Sequence, residues 1–221
     1  MFDNIAGRYD FLNHFLSLGI DILWRKRAVR EIGKISPKKI LDIATGTGDL
    51  AVEASVLKPT KIVGVDISKG MLKVGRKKMI VKGLNEMIEL KFGDSENLPF
   101  KNNSFDAVTA GFGVRNFENL HKGLSEMFRV MEDGGKLAII EPAEPNIFPF
   151  RQLYNFYFKR VLPFIGKLFS KDDAAYNYLP ESVAAFPSGE AFLKELEIVG
   201  FKNPKHIKLT FGVAALYIAT K

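Results

Sequence analysis

The chain of 221 residues predicts an α/β fold with a seven-stranded, mostly parallel sheet that ends in an antiparallel hairpin. From residue 38 onward, short apolar runs alternate with helix-like runs, which is typical of βαβ units and of a parallel sheet covered on both faces. After residue 189 the pattern changes, because a helix is followed by two strand-like runs that meet around Gly212. A connection that short makes an antiparallel pair.

The individual elements follow from local patterns. "DLAVEASVL" carries its small and apolar residues on one helical face, and Gly83 is a plausible terminator for the basic amphipathic helix before it. We predict one domain over residues 1–221, with a helical cap at 1–37 and an aromatic helical insertion at 143–189. The predicted strands are 38–44, 60–68, 87–92, 104–114, 136–142 and the two halves of 204–221, and the predicted helices are 49–57, 69–83, 119–135 and 189–201.

The composition excludes several classes of protein. The chain has no cysteine, which excludes a disulfide framework, a zinc–thiolate site and a cysteine nucleophile. No apolar run approaches the roughly 20 residues of a spanning helix, so we expect a cytoplasmic location. The net charge of +7 favours nucleic acid, anionic lipid or an acidic substrate as a partner, unless it is simply a solvated lysine-rich surface.

A glycine-rich turn follows the first predicted strand. In "LDIATGTGDL", Gly46, Gly48 and Ala51 fit the dinucleotide pattern G-x-G-x-x-G/A. The second strand ends at Asp66, whose carboxylate can accept both ribose hydroxyls, and the third is followed by the "GDSENLPF" loop. Ligands of an open α/β sheet bind at the carboxyl ends of the strands, so these three segments predict a nucleotide site.

Two details distinguish the nucleotide. The glycine pattern alone fits NAD, but Asp42 stands before the glycines, where it would repel a pyrophosphate. The same acid favours a cofactor that carries a sulfonium and an ammonium group. The antiparallel hairpin at the end of the sheet is also unusual for a dehydrogenase. Both details indicate S-adenosylmethionine.

Longer stretches of sequence add a family resemblance. The chain contains "FDNIAGRYDFLNHFLSLGIDILWR", "FGVRNFEN", "FRVMEDGGKLAIIEPAEPN" and "YNYLPESVAAFPSGEAF". With these segments it resembles the class I methyltransferases, which have a Rossmann-like fold, and among them the ubiquinone/menaquinone biosynthesis C-methyltransferases. The resemblance implies transfer of a methyl group from S-adenosylmethionine to a ring carbon of a demethylated polyprenyl quinol, either demethylmenaquinol or the benzoquinol equivalent.

The resemblance also implies cofactor positions. It places them at Thr47, at Asp66 and at the Asp94–Ser95 pair. At Gly111 the family often has a serine, and "IEPAEP" departs from the family's segment at 140–145. We expect the cofactor-binding residues to be Asp42, Ala44, Thr45, Gly46, Thr47, Gly48, Asp66, Ile67, Met71, Asp94, Ser95 and Gly111.

Methylation of a quinol carbon needs a phenolate, and therefore a base or water relay together with a donor or cation for the oxygen. Arg115 and Asn116 follow the fourth strand, and we expect Arg115 to stabilise the phenolate and Asn116 to hold the loop or the oxygen. Asn116 could instead cap the following helix. Tyr9 is expected to cover the site, and the absence of clustered metal ligands predicts no metal.

The insertion is rich in aromatic and basic residues. Residues 147–170 hold six Phe, two Tyr and four basic residues without an acid. They either complete the core or form an apolar entrance for an isoprenoid tail, with Arg151 and its basic neighbours facing anionic headgroups. We expect Phe112, Tyr154 and Tyr178 to contact the substrate.

The expected partners are the polyprenyl quinol and, transiently, the inner face of the membrane. No nucleic acid is expected, and a homodimer is an open expectation. Two alternatives remain at this point: a methyltransferase for another apolar small molecule, and a nucleic-acid methyltransferase selected by the positive charge.

Overall fold

The computed structural model describes residues 17, 19–157, 160 and 181–221. Within this part of the chain, seven strands form one sheet. They are β1 (Lys39–Ile43), β2 (Lys61–Asp66), β3 (Ile88–Phe92), β4 (Phe105–Gly111), β5 (Met131–Pro142), β6 (Lys202–Leu209) and β7 (Ala214–Thr220). The α-helices with described bounds are α1 (Ile20–Gly33), α2 (Asp49–Ala54), α3 (Lys69–Val81), α4 (Leu120–Val130), α5 (Phe150–Phe156) and α6 (Glu190–Val199).

The strand order is β3-β2-β1-β4-β5-β7-β6. Strands β1 to β5 run parallel to one another. β7 runs antiparallel to both β5 and β6, which confirms the predicted C-terminal hairpin. The chain builds outward from β1 to β3 and then returns to place β4 on the other side of β1. Strand order therefore reverses between β1 and β4, and this is where an open α/β sheet binds its ligand.

Two helical layers cover the sheet. Alternate residues of a strand point to opposite faces, so Ile40 packs in one layer and Leu41 in the other. The layer of Ile40 contains residues of α1, α2 and α3, and the layer of Leu41 contains residues of α4 and α6. By the same alternation, Asp42 lies on the α1 side of the sheet, and Glu141 of β5 lies on the α4 and α6 side.

The first layer depends on the amphipathic pattern of α1. Trp24, Ala28 and Ile32 are buried at a spacing of four residues, which places them on one face of the helix. The Trp24 indole N–H also donates a hydrogen bond of 2.8 Å to the Thr210 hydroxyl in the turn between β6 and β7. This bond fixes helix α1 to the turn of the C-terminal hairpin.

Several elements differ from the predicted bounds. The helix predicted over 119–135 ends at Val130, because the chain continues from Met131 as a strand. The helix predicted over 49–57 is α-helical only to Ala54 and continues as a 3₁₀ turn over Ser55–Leu57. Strand β5 begins at Met131, whereas the sequence predicted it from Lys136. Phe105 pairs with Met131 and Ala107 with Lys136, so residues 132–135 form a bulge that lengthens the strand. Gly83 has a φ of +65°, which confirms the predicted end of α3.

Candidate active site

A cleft of about 280 Å³ lies at the carboxyl ends of the parallel strands. Its walls come from the segments that follow β1, β2, β3 and β4, so the cleft spans the point where the strand order reverses. This is the position that the sequence predicted for a nucleotide. The lining residues are Ala44, Gly46, Asp66, Ile67, Met71, Asp94, Ser95, Glu96, Gly111, Phe112, Gly113, Asn116, Phe117 and Glu118.

The glycine turn after β1 needs two left-handed residues. Gly46 has a φ of +57° and Gly48 a φ of +85°. A Cβ at Gly48 would also lie 2.8 Å from the Met79 Cε of α3. Side chains are therefore disfavoured at Gly48 both by the backbone and by the packing of the neighbouring helix. The turn can lie against the cleft with its backbone exposed to a ligand.

Asp66 connects this turn to the end of β2. Its Oδ2 accepts the Gly46 N–H at 2.7 Å, and its Oδ1 accepts the Ser68 N–H at 2.8 Å. Asp66 also lines the cleft, and carboxylate oxygens are suitable acceptors for ribose hydroxyls. Asp66 thus shapes the glycine turn and presents acceptors to the cleft at the same time.

The loop after β3 closes the same end of the cleft. Gly93 donates its N–H to the Asp66 carbonyl at 3.1 Å, which ties the loop to β2. The exposed Asp94 accepts the Glu96 N–H at 2.8 Å through Oδ1 and so bends the chain at Ser95. Glu96 in turn accepts the Asn119 N–H at 2.9 Å. The loop is held by its own acids, and Asp94 and Ser95 both line the cleft as predicted.

A smaller pocket of about 40 Å³ adjoins the cleft and shares Ala44, Gly46, Gly111 and Phe112 with it. We call it the inner pocket. Its remaining lining residues are Arg25, Asp42, Thr45, Thr47, Asp49 and Leu50.

Asp42 is the buried acid of the inner pocket. Its side chain is 1% exposed and accepts hydrogen bonds from the hydroxyls of Thr45 at 2.6 Å and Thr109 at 2.8 Å. Burial raises the pKa of Asp42 to about 6, against the opposing effect of the two hydroxyls and of Arg25. A positively charged ligand would compensate for the lost hydration of this carboxylate.

Arg115 lies in a different environment from the one that the sequence predicted. Its guanidinium forms a buried ion pair with Glu141, donates to the Phe112 carbonyl and lies 3.3 Å from the Ser182 hydroxyl. Arg115 is not among the residues that line the cleft. Burial raises the pKa of Glu141, and Arg115 opposes that effect. The geometry gives Arg115 a positioning role, and its contact with a substrate stays a prediction.

Asn116 lines the cleft, as the sequence predicted. It ends the 3₁₀ turn over Val114–Asn116 and does not cap the following helix. The cap of α4 is Asn119, whose side chain accepts the Lys122 N–H at 3.0 Å. The alternative interpretation of Asn116 as a helix cap is therefore wrong, because the chain continues for three more residues before α4 begins.

The other predicted residues fall into four groups. Ala44, Gly46, Ile67, Met71, Gly111 and Phe112 line the cleft, and Thr45 and Thr47 line only the inner pocket, where the Thr47 hydroxyl accepts a hydrogen bond of 2.9 Å from Lys78. Gly48 shapes the turn, and Tyr154 is buried in α5 away from the lining of the cleft, with its pKa raised by that burial. Tyr9 and Tyr178 lie outside the described residues.

Sequence reasoning missed three kinds of residue. It did not find Arg25, because α1 was assigned only to a cap, or the close approach of Gly113, whose Cβ would lie 2.3 Å from the Ala44 Cβ. It also missed Phe117, although the "FGVRNFEN" segment contains it. Among the described residues, no group of three His, Cys, Asp or Glu side chains is arranged to hold a metal ion.

The comparison with protein families decides the class. Residues 1–221 match the model of the ubiE/COQ5 methyltransferase family. The chain belongs to this family. It is therefore an enzyme that transfers methyl groups, and S-adenosylmethionine is its methyl donor. The predicted family, enzyme class and cofactor are confirmed.

Curated proteins are similar to this chain over nearly their whole length. The chain is 50% identical over 222 residues to the demethylmenaquinone methyltransferase of Bacteroides fragilis, and the match covers 100% of this chain and 91% of that protein. It is 45% identical to the ubiquinone/menaquinone biosynthesis C-methyltransferase of Geotalea daltonii, with coverage of 100% and 94%.

A solved structure supports the ubiE/COQ5 fold assignment. The chain resembles an S-adenosyl-L-methionine-dependent methyltransferase structure from Methanococcus maripaludis with a TM-score of 0.72 and 21% sequence identity. The likeness covers 100% of this chain and 94% of the other. At that identity it shows the fold alone, and it confirms the predicted seven-stranded class I methyltransferase architecture.

The described residues fit the methyl donor of the family. The Asp66 carboxylate would suit the donor's ribose, and Ile67 and Met71 add apolar surface to the same cleft. Asp42 supplies a buried negative charge in the adjoining inner pocket. S-adenosylmethionine is a nucleoside that carries a cationic amino-acid chain. Its sugar suits the acceptor in the cleft, and its cationic end suits the acid of the inner pocket.

Proposed function

We propose that this protein methylates a ring carbon of a demethylated polyprenyl quinol, and that the preferred ring is a naphthoquinol. The supporting observation is the similarity over the whole chain to proteins named demethylmenaquinone methyltransferase, at 50% identity for the Bacteroides fragilis protein and 44% for that of Porphyromonas gingivalis. Relatives whose name includes ubiquinone have similar identities, so the benzoquinol is the alternative ring.

S-adenosylmethionine, when bound, supplies an electrophilic methyl group on a sulfonium that departs as a neutral thioether. The chain must then orient an acceptor carbon toward that methyl group and exclude competing nucleophiles. Positioning of two reactants in this way is worth on the order of 7–11 kcal/mol. Phe112 and Phe117 provide aromatic walls on the β4 side of the cleft, where a planar ring can be held.

Asn116 is the residue best placed to contact the oxygen of the acceptor. A quinol carbon becomes nucleophilic when the adjacent hydroxyl loses its proton, and the resulting phenolate needs hydrogen-bond donors. Asn116 lines the cleft together with Phe117, and its carboxamide is a group that can donate to that oxygen. Arg115 supports this position from behind, because its guanidinium holds the Phe112 carbonyl and the buried Glu141.

The function is tested by methyl transfer from labelled S-adenosylmethionine to a short-chain demethylated naphthoquinol kept reduced. We expect a product that carries one new carbon-bound methyl group, identified by mass spectrometry. The oxidised quinone is the control, since it has no phenol to ionise. Matched reactions contain the benzoquinol and total RNA. A label found only on oxygen or only in RNA would contradict the proposal.

We also propose that the protein docks transiently at the inner face of the membrane, where a polyprenyl substrate resides. Ile147, Phe148, Leu153, Phe156 and Phe211 form an apolar set that is 49%, 78%, 59%, 62% and 59% exposed, respectively. We call them the α5 surface. The exposed side chains of Arg151 and Arg160 accompany it. Apolar side chains with basic neighbours are suited to an anionic bilayer interface.

The α5 surface lies near the end of the sheet where the parallel strands finish, which is also the end that carries the cleft. The Phe150 ring of α5 stacks on Phe211 with 3.8 Å between the ring centroids. Phe211 precedes β7, whose first residue, Ala214, pairs with Pro142 at the carboxyl end of β5. An isoprenoid tail in the bilayer could therefore remain there while its ring enters the cleft. No helix in the described part of the chain has the length and apolarity that a membrane crossing requires.

Liposome flotation tests the docking. Replacing Leu153 and Phe156 by serine should weaken binding to vesicles that contain anionic lipid by about tenfold or more, because each buried apolar side chain is worth about 1.5–3 kcal/mol. The matched control is Val81→Ser on α3, where the side chain is 87% exposed away from the α5 surface. Equal flotation of both variants and the unmodified protein would contradict this part of the proposal.

A further inference from the structure

We infer that Arg25 binds the carboxylate of the methyl donor's amino-acid end, opposite Asp42, so that the inner pocket is a two-charge clamp for that end of the cofactor. The inference depends on the donor and not on the proposed quinol, so failure of the quinol proposal leaves it unchanged.

The position of Arg25 is the first argument. The residue is 7% exposed, yet its side chain lines the inner pocket together with Asp42 and the glycine turn. Helix α1 lies on the face of the sheet to which Asp42 points. The inner pocket also shares Gly46 and Phe112 with the main cleft, so a ligand that occupies the cleft can extend into it.

The hydrogen bonding of Arg25 is the second argument. A guanidinium has five N–H donors. Among the described residues, Nη1 donates to Asp21, and Nη2 lies 3.7 Å from Asp49 Oδ2, which is beyond hydrogen-bond distance. Asp49 forms an ion pair with Arg25 at that distance and a closer one with Lys78 at 2.6 Å. Arg25 therefore keeps donor capacity in a pocket where a planar carboxylate could accept two bonds.

The surroundings of Arg25 restrict its movement. Its guanidinium carbon lies 5.8 Å from the centre of the Phe112 ring, and the Trp24 ring lies 6.0 Å from the same ring. Phe112 has a φ of +62°, a left-handed conformation that is uncommon for an aromatic residue. The guanidinium is thus held between α1 and the loop after β4 before any ligand arrives.

The charges of the inner pocket match an amino acid. A free α-amino acid end carries one ammonium and one carboxylate on the same carbon. The inner pocket is lined by one nearly buried guanidinium, Arg25, and by two carboxylates, of which Asp49 lies beside Arg25 and Asp42 is buried without an ion pair among the described residues. Within that part of the chain, Asp42 accepts only hydroxyl hydrogen bonds, so it gains from an ammonium group on the ligand. Arg25 already pairs with Asp21, and its remaining N–H donors can bind the ligand's carboxylate.

A pair of ligands tests the clamp by binding alone. S-adenosylhomocysteine and its decarboxylated form, S-adenosyl-3-thiopropylamine, differ only by the carboxylate, and isothermal titration calorimetry measures both. The unmodified protein should bind S-adenosylhomocysteine about 10- to 100-fold more tightly. Arg25→Gln should remove this preference while leaving the affinity for the decarboxylated ligand nearly unchanged.

The matched control is Lys26→Gln, which removes a cation from an exposed position of the same helix and should keep the preference. Arg25→Lys retains the charge without the planar fork and should keep part of it. Equal weakening of both ligands in Arg25→Gln would show a structural role and overturn the inference. Because the unmodified protein must itself discriminate, a lack of preference there overturns it even if the variant does not fold.

Discussion

Arg115 and Glu141 form a buried ion pair in which Nη1 and Oε2 are 2.9 Å apart. The Glu141 carboxylate also accepts the Val114 N–H at 2.7 Å. Glu141 belongs to β5, and Arg115 belongs to the turn after β4 that carries Asn116 into the cleft. The pair therefore fixes one wall of the cleft to the neighbouring strand.

Removal of Arg115 should first reduce stability. In Arg115→Ala, the Glu141 carboxylate would stay buried without its cation, and we expect a loss of about 3–5 kcal/mol in the free energy of unfolding. Chemical denaturation measures this change. Lys91→Ala is the control, because its ion pair with Glu89 is about 40% exposed on both sides and should be worth about 0–1 kcal/mol. A fully stable Arg115→Ala protein with low turnover would favour direct contact between Arg115 and the acceptor.

Asp42→Asn should raise the stability of the fold and lower its affinity for the cofactor. The folded-state pKa of Asp42 is about 6, above its ordinary value of 3.8, so above pH 6 the folded protein holds a charge that the unfolded chain hydrates better. The free energy of unfolding of the variant should then be higher by on the order of 1–3 kcal/mol at neutral pH, and the difference should vanish below about pH 4. Its affinity for S-adenosylmethionine should fall. Equal stability of both proteins at pH 8 would show that burying this charge costs the fold nothing.

Cofactor binding should release protons near pH 6. The ammonium group of a bound donor favours the ionised form of Asp42, so the pKa falls on binding. Calorimetry in buffers of different ionisation enthalpy measures the number of protons released. The release should be lost in Asp42→Asn and should decline above pH 7, where the carboxylate is already ionised. Identical heats in all buffers at pH 6 would argue against a cation beside Asp42.

Asp66→Ala should weaken binding of S-adenosylhomocysteine by about 100-fold, because the ribose acceptors and the acceptor of the Gly46 N–H are lost together. Asp94→Ala provides the comparison. Asp94 is exposed, and its Oδ1 accepts an N–H from Glu96 within its own loop, so we expect a smaller loss. Titration calorimetry ranks the two, and the reverse order would move the nucleoside toward the loop after β3.

Two nearby glycines, Gly111 at the end of β4 and Gly113 in the loop after it, should respond differently to substitution. A Cβ at Gly113 would lie 2.3 Å from the Ala44 Cβ, whereas a Cβ at Gly111 meets only Leu50 Cδ2 at 3.4 Å. Gly113→Ala should therefore displace the Asn116 turn and lower both the melting temperature and turnover. Gly111→Ser should fold normally and keep its activity. Thermal melts of both variants check this, and an unaffected Gly113→Ala protein would show that the loop after β4 can move away from Ala44.

Local patterns predicted most of the fold. The alternation of apolar runs predicted β1 to β5, and the short connection at Gly212 predicted the antiparallel β7. The positions of Asp66, Ser95 and Asn116 in the cleft followed from the rule that ligands bind at the carboxyl ends of strands. These predictions succeeded because each depends on residues that are close together in the chain.

The misses depend on distant contacts. Arg115 and Glu141 are 26 residues apart, and no local pattern reveals that they neutralise each other. Arg25 reaches the pocket of Asp42 only because α1 packs on one particular face of the sheet. The bulge at 132–135 depends on how β5 pairs with Phe105. Side-chain orientation and strand register arise from the packed structure, so the residue types alone did not show them.

The edge strand β6 bears on how copies of this enzyme can coexist at high concentration. Lys202, Lys205 and Lys208 are exposed along it, and Pro204 removes one backbone donor. Charged residues and proline on an edge strand oppose the edge-to-edge pairing of sheets that leads to aggregation. The β6 edge therefore resists pairing with a strand of a second copy.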